Sequence, residues 1–327
     1  MAYGFVGFGL LLLIIGSESV VRGGVGLSRA FGLSPLLIGL LIVSAGTSTP
    51  ELVVALQGTF HGAPDLALGN VVGSNIVNIL LILGLGAVMR PIPASPKIVI
   101  RDGTALVAAS AALFLCVQSG VITQWDGWMF LAGLAVYVVI SFVTDWRRPS
   151  PMCGAEARAQ ARSRREMAPA MSTILLIFGF ACLYFGGGYV VDGGVALARL
   201  YHVPQAVIGL TLVAFGSSLP ELATTIAAVI RGETSLAIGN LIGSNIFNIL
   251  LVVGLTVSIQ PLSVSHLVAH ADIYVMMAAA LVLPLMLASR WRLTRAQGAF
   301  LVLGYVAYLG FVAWRQGLIS SQFLGTM

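Results

Sequence analysis

Apolar runs recur at short intervals along this chain: Leu10–Ile15, Leu36–Val43, Ile79–Val88, Ala105–Val117 and Leu131–Val143 in the first part alone. With their linking residues they form segments of about 20 residues, the length that crosses the hydrocarbon core of a bilayer. That repetition restricts the fold to an all-α polytopic membrane protein with no soluble domain of any size. Composition agrees: 58% of the 327 residues are hydrophobic, 9% are charged and the mean hydropathy is +0.99, whereas soluble domains carry roughly a quarter charged residues. The pI near 9.4 does not argue for a nucleic-acid partner, because the positive charge has a topological reading given below. The opening MAYGFVGFGLLLLIIG has no basic residue ahead of its apolar run and no small-residue cleavage site, which predicts a retained first helix rather than a signal peptide. Cys116, Cys153 and Cys182 are too few and too scattered for a disulfide framework or a metal cluster.

The chain is duplicated. Pro50–Glu51 and Pro220–Glu221 lie 170 residues apart, and the same offset aligns Gly69–Asn70 with Gly239–Asn240, Gly73-Ser74-Asn75 with Gly243-Ser244-Asn245, and Asp102 with Asp272. LALGNVVGSNIVNIL at 66–80 and LAIGNLIGSNIFNIL at 236–250 agree at 11 of 15 positions. Two homologous units, 1–145 and 171–327, are therefore expected, joined by a basic linker over 146–170. Each holds about five spans: 3–21, 36–59, 65–89, 100–118 and 127–145, then 171–191, 206–230, 236–258, 270–289 and 297–315. An odd number of spans sends the second unit into the membrane from the opposite side, so the two five-helix repeats are inverted, as in many secondary transporters.

Charge orients this arrangement. If the central linker is cytoplasmic, 15 of the 17 basic residues fall on that side and only Arg199 and Arg315 outside it. Such a bias is the positive-inside signature, and it puts both termini outside. The arginines of RRPSPMCGAEARAQARSRRE serve this orientation, with acidic-lipid binding as the sharper alternative.

Against this apolar background SAGTSTPEL at 44–52 and AFGSSLPEL at 214–222 are out of place. A proline removes a backbone donor and crowds the carbonyl four residues earlier, so Pro50 is expected to free the carbonyl of Gly46, and Pro220 that of Gly216. Irregular backbone at membrane depth persists only inside protein or along a wet cavity. Helices two and seven are therefore predicted to be broken. Freed carbonyls and hydroxyls are neutral hard oxygen donors, to which Glu51 and Glu221 add charge, and sodium and calcium prefer such ligands. A carboxylate at mid-helix costs about 2.5–3.5 kcal/mol on insertion scales. A cost of that size, incurred twice at equivalent positions with no buried basic partner in sequence, points to a site. The competing reading is a proline kink whose glutamate pairs with a neighbouring helix. In GNVVGSNIVN and its copy, Gly69-x-x-x-Gly73 and Gly239-x-x-x-Gly243 are close-packing motifs. Ser74 with Asn78, and Ser244 with Asn248, are four apart and share a helix face, which offers a hydroxyl and an amide to the neighbouring glutamate.

Together the paired GTSTPE…GNVVGSNIVN and GSSLPE…GNLIGSNIFN motifs resemble the two alpha repeats of the cation/calcium exchanger superfamily, in its sodium/calcium exchanger branch, and the resemblance spans the whole chain. It implies Glu51 and Glu221 as carboxylates shared by calcium and sodium, with Thr47, Ser48, Ser217 and Ser218 beside them on the broken helices. Ser74, Asn78, Ser244 and Asn248 would contribute from helices three and eight, and the backbone carbonyls of Ser44 and Ala214 from just before the breaks. Two departures from the family pattern are Ser217, where threonine is common, and Asn248, where several branches carry aspartate. The second argues against potassium coupling and leaves a proton role open.

The function expected is antiport of Na+ against Ca2+ by alternating access in a prokaryotic inner membrane, with no enzymatic activity, no cofactor beyond the transported cations, no nucleic-acid partner and the bilayer as surroundings. Helices one and six, which lack the motifs, would slide on glycines such as Gly16, Gly23, Gly24, Gly186–Gly188 and Gly193–Gly194 against a core of helices two, three, seven and eight. A proton/calcium antiporter is the alternative, since burial favours the neutral form of any carboxyl. A passive cation channel with the same oxygens is a third reading. An intramembrane enzyme lacks a nucleophile–base pair; His266 and His270 are read as solvated near an outer loop, and Asp102 and Asp272 as helix-start caps.

Overall fold

The computed structural model describes residues 2–61, 64–96, 98–147, 167–200, 214–264 and 271–315. Its helices are α1 (Ala2–Phe31), α2 (Pro35–Phe60), α3 (Ala67–Met89), α4 (Ile98–Gln118), α5 (Gln124–Arg147), α6 (Pro169–Leu200), α7 (Leu219–Arg231), α8 (Thr234–Ile259), α9 (Ile273–Arg290) and α10 (Arg295–Arg315). Among the described residues nine of these, all but α7, are long and apolar enough to cross a membrane. A short helical turn, Ala214–Gly216, precedes α7. The rest of the predicted seventh span, most of the central linker and the His266/His270 pair lie outside the described residues.

Burial separates a core from a rim. In α3 and α8 the most apolar window is 72% and 78% buried, against 22% in α5 and α10. Among the described helices the two that carry the GNxxGSNxxN copies are thus the innermost, apolar all round except for the buried asparagines and serines of that motif. Both contain a π-helical stretch, Val77–Leu83 and Asn248–Val253, at positions related by the 170-residue offset. Such wide turns often accompany functional sites.

Four two-residue strands, too short to show any periodicity in sequence, staple the loops: β1 (Ile92–Pro93), β2 (Val121–Ile122), β3 (Leu262–Ser263) and β4 (Arg292–Leu293). β1 pairs with β4 and β2 with β3, both antiparallel. Under the 170-residue offset the first pair maps onto the second to within one residue, which is the inverted repeat expressed in hydrogen bonds. The pairing also gathers basic residues at one end. Arg90 precedes β1 and its guanidinium stands against Gly232. Arg295 reaches the Met89 carbonyl at 3.4 Å. Arg231 and Arg22 both bond Glu18 at the same end.

α1 and α6 run for 30 and 32 residues, about 45–48 Å at 1.5 Å per residue. The predicted spans 3–21 and 171–191 were too short. Each helix is longer than the hydrocarbon thickness of about 30 Å. Glycines at seven-residue spacing, Gly9, Gly16 and Gly23 on α1 and Gly179, Gly186 and Gly193 on α6, bring the two backbones together. A Cβ on Gly9 would stand 2.7 Å from the Gly186 carbonyl, one on Gly16 2.9 Å from that of Gly179, and one on Gly193 2.9 Å from that of Ala2.

Asp272 holds the N-cap position of α9 without a side-chain cap bond, and the carboxylates of Asp102 and Asp272 face the following helix instead. Asp102 is wholly buried and takes the Arg101 guanidinium through Nε at 2.6 Å and Nη2 at 3.0 Å. Arg101 also donates to Thr144 of α5 at 2.8 Å, and Tyr137 of α5 donates to Asp102 at 3.3 Å. In the second repeat Asp272 receives Tyr308 at 3.1 Å and Arg315, both of α10. A buried carboxylate is retained where a cation and a hydroxyl satisfy it. These clusters tie α4 to α5 and α9 to α10.

Candidate functional site

α2 breaks where its sequence demands. Ser48 ends one helical piece with φ −80° and ψ 3°, and Thr49 starts the next; Ser218 has φ −87° and ψ 5° ahead of α7. Pro50 and Pro220 fall in the first turn of the new helix, where a missing N–H costs nothing. Glu51 and Glu221 share that first turn, at the end of the helix dipole that favours an anion. The break expected at the Gly46 carbonyl is therefore a stop and restart at Ser48, with the Ser48 N–H still bonded to the Ser44 carbonyl at 2.9 Å.

Both glutamates are wholly buried, and each is held by hydroxyls from both repeats. Glu51 Oε1 accepts from Ser74 of α3 at 3.4 Å and from Ser218 at 3.4 Å. Glu221 Oε1 accepts from Ser244 of α8 at 3.4 Å and from Ser48 at 3.5 Å. The serine at each break thus reaches the carboxylate of the other repeat, and the two carboxylates stand within electrostatic reach of each other. Thr47 donates to Asn240 Oδ1 at 3.2 Å and lies 3.3 Å from the Ser244 hydroxyl. Its counterpart Ser217 donates to Asn70 Oδ1 at 3.1 Å and lies 3.4 Å from the Ser74 hydroxyl.

Most of these separations are at or beyond the long end for hydroxyl bonds, whose usual range is about 2.5–3.0 Å. The oxygens surround a common region without saturating one another. Among the described residues Glu51 Oε2 and Glu221 Oε2 have no partner, nor has either amide atom of Asn78 or the Asn248 Oδ1. Among the described residues no lysine or arginine is paired with Glu51 or Glu221, so the proline-kink reading with a neighbouring cation has no support. A buried, uncompensated carboxylate costs far more than a paired one. Two together, ringed by hydroxyls and amides, form a set of anionic and neutral oxygens that suits a hard cation.

Of the twelve residues singled out from sequence, Glu51, Glu221, Thr47, Ser48, Ser217, Ser218, Ser74 and Ser244 are joined in this network. Ser44 lies at its edge: its hydroxyl donates to the Leu40 carbonyl, while its own carbonyl accepts the Ser48 N–H and, at 3.4 Å, the Thr47 hydroxyl. Asn78 and Asn248 are wholly buried but bond neither glutamate; Asn248 donates to Asn75 Oδ1 at 3.4 Å. Ala214 opens the short turn before the break, and no contact of its carbonyl is described. Sequence reasoning missed Asn70 and Asn240. Their repetition at the common offset was the available signal.

A cavity of about 750 Å³ leads to the Glu51 side of the network, with Asn70 and Ser217 among its lining residues and α2, α3 and α6 as walls.

The chain matches the family model described as "Sodium/calcium exchanger protein" over residues 1–143 and 171–314. It is 34% identical to the inner membrane protein YrbG of Escherichia coli over 94% of this chain and 95% of that one. It is 31% identical to the sodium/calcium exchanger MaX1 of Methanosarcina acetivorans over 92% and 95%. Among solved structures it resembles the sodium-calcium exchanger NCX_Mj with a TM-score of 0.82 and 28% identity, covering 94% of this chain and 98% of that one.

Proposed function

This chain belongs to the sodium/calcium exchanger family, and from that premise we propose that it exchanges Na+ for Ca2+ at a single site built on Glu51 and Glu221. The chain is an integral, multi-pass membrane protein of a cation/calcium antiporter family, not of an enzyme family. One observation carries the finer reading: each buried glutamate is bonded by a serine from the opposite repeat, Ser218 to Glu51 and Ser48 to Glu221. A cation bound there touches both repeats, so its arrival and departure are coupled to how the repeats sit against each other.

Two ionised glutamates supply a charge of −2, which one Ca2+ neutralises. Na+ ions competing for the same oxygens displace it, and competition for one oxygen set is what antiport requires. Thr47, Ser48, Ser74, Ser217, Ser218, Ser244, Asn78, Asn248 and the carbonyls of Ser44 and Ala214 are the remaining ligands in this reading. Alternating access proceeds by α1 and α6 sliding as a glycine-zipped pair over a core of α2, α3, α7 and α8. The end that holds Arg22, Arg90, Arg231 and Arg295 is the cytoplasmic one by the positive-inside bias, which leaves both termini outside. Residues 1–145 and 171–327 are the two repeats and 146–170 the linker. A prokaryotic inner membrane fits the kinship to YrbG.

The test is uptake of radiolabelled Ca2+ into proteoliposomes loaded with Na+, in external Na+ or choline and with pH clamped on both sides. Uptake that requires the outward Na+ gradient and disappears in both Glu51→Gln and Glu221→Gln is the expected result. Uptake indifferent to Na+ but driven by an imposed pH gradient would replace this reading with proton/calcium antiport. Uptake that dissipates without any counter-ion would indicate a channel.

A further inference from the structure

The repeat extends into a segment without ion motifs. VVRGGVGL at 20–27 of α1 and VVDGGVAL at 190–197 of α6 match at six of eight positions, and one of the two differences inverts a charge: Arg22 in the first, Asp192 in the second. Each residue directly precedes the third glycine of its zipper, Gly23 or Gly193. In an inverted repeat these positions stand at equivalent depths on the two opposite approaches to the site.

Their surroundings differ as sharply as their charges. Asp192 lines the cavity of about 750 Å³ that reaches Asn70 and Ser217, and among the described residues it is the single charged one lining it. Its side chain is exposed and makes no bond or ion pair among the described residues. Arg22 is engaged: it donates to Glu18 at 2.7 Å, and Glu18 also accepts Arg231 of α7 through Nε at 2.6 Å. The counterparts of Glu18 and Arg231 on the other approach are Gly188 and His61, so the sequence does not repeat this cluster there. Among the described side chains one approach carries a carboxylate without a cationic partner, while the other carries the guanidinium groups of Arg22, Arg29 and Arg231 with the carboxylates of Glu18 and Glu233.

We propose that Asp192 is a cation-recruiting residue at the mouth of the ion pathway on its own face, and that the inversion to Arg22 makes the apparent cation affinity lower from the opposite face. The proposal rests on the exchange reading above. Asp192 touches none of the site oxygens and acts through its field on ions entering the cavity, so it changes occupancy and not the chemistry of the site. A field of this kind raises the local concentration of counter-ions and fades with ionic strength. A unit charge acting across about 10 Å of water changes the local concentration of a divalent ion about fourfold and of a monovalent ion about twofold.

The experiment compares right-side-out and inverted vesicles from cells expressing the parent chain, Asp192→Asn, Asp192→Glu or Asp192→Arg. At low ionic strength Asp192→Asn is expected to raise half-saturating Ca2+ about fourfold and half-saturating Na+ about twofold on one face only. Maximal rate is unchanged, Asp192→Glu retains the parent values, Asp192→Arg shifts further, and the difference shrinks in high salt. A shift equal on both faces, a shift that survives high salt, or a fall in maximal rate with constant half-saturation would overturn the proposal. A second arm needs no exchange. Gln57 lines the same cavity, so in a chain otherwise free of cysteine Gln57→Cys is labelled with cationic and anionic thiol reagents. The cationic preference is expected to fall about fourfold when Asp192→Asn is added, and an unaltered ratio would again refute the proposal. A parent protein that moves no Ca2+ but keeps this labelling ratio would sink the exchange reading and leave the field of Asp192 intact.

Discussion

Ser48 and Ser218 each end a helical piece in the bridge region of backbone space and each send a hydroxyl to the glutamate of the other repeat. Behind them Thr47 and Ser217 are aimed by Asn240 and Asn70. Those asparagines touch neither carboxylate, yet they fix which way the hydroxyls at the break can point. Asn70→Ala and Asn240→Ala are therefore expected to raise half-saturating Ca2+ about tenfold, because removing a partner from a buried hydrogen-bonding group costs about 1–3 kcal/mol. Ca2+ titration of exchange in proteoliposomes measures this. An unaltered affinity would mean that the hydroxyls are held by the backbone alone. The glutamates and serines were legible in sequence because charge and hydroxyls inside an apolar helix stand out, and because they occur twice. The role of the asparagines was not, since their partners lie 147 and 193 residues away. Asn78 and Asn248 show the converse. Helical spacing put each on a face with a serine, but a π-helical stretch begins at that point in both helices and the side chains bond neither glutamate.

At the scale of elements, α4 and α9 are each pinned to the following helix by an aspartate, an arginine and a tyrosine, but the two pins are built differently. Asp102 is wholly buried and its arginine is its chain neighbour, whereas Asp272 and its distant partner Arg315 are 15% and 18% exposed. Removing one member of a buried ion pair leaves the other uncompensated at about 3–5 kcal/mol. Asp102→Ala is therefore expected to lower the thermal unfolding temperature in detergent more than Asp272→Ala, and Tyr137→Phe to cost only about 1 kcal/mol. Equal losses for the two aspartates would show that burial does not govern these pins. Sequence placed both residues near helix starts, and capping was the natural reading, because nothing local reveals a tyrosine one helix away. The span pattern itself was readable, since apolar length is a property of contiguous residues. The two-residue strands were not, and the ends of α1 and α6 were underestimated because glycine-rich extensions dilute the apolar signal that marks a span.

For the whole molecule, the glycines of the repeated motif are where one helix backbone meets another. Gly239 and Gly243 of α8 lie against α2 so closely that a Cβ on either would stand 2.5 Å from a backbone carbonyl, of Leu36 and Leu40. Under the 170-residue offset the equivalent partners of Gly69 and Gly73 on α3 are residues 206 and 210, which lie outside the described residues. Gly243→Ala is expected to force α2 and α8 apart and to cost about 1–3 kcal/mol through overpacking, which lowers the unfolding temperature in detergent. α2 and α8 both belong to the core over which α1 and α6 slide, so the cost is expected to be the same in every state of the cycle and the folded variant to exchange at the parent rate. If the contact loosens in one state instead, the variant favours that state, and exchange changes about tenfold for each 1.36 kcal/mol where that step limits turnover. Thermal unfolding and stopped-flow exchange of Gly243→Ala separate these outcomes. A variant that unfolded at the parent temperature would mean that the two backbones give way without cost and that the glycines only fill space.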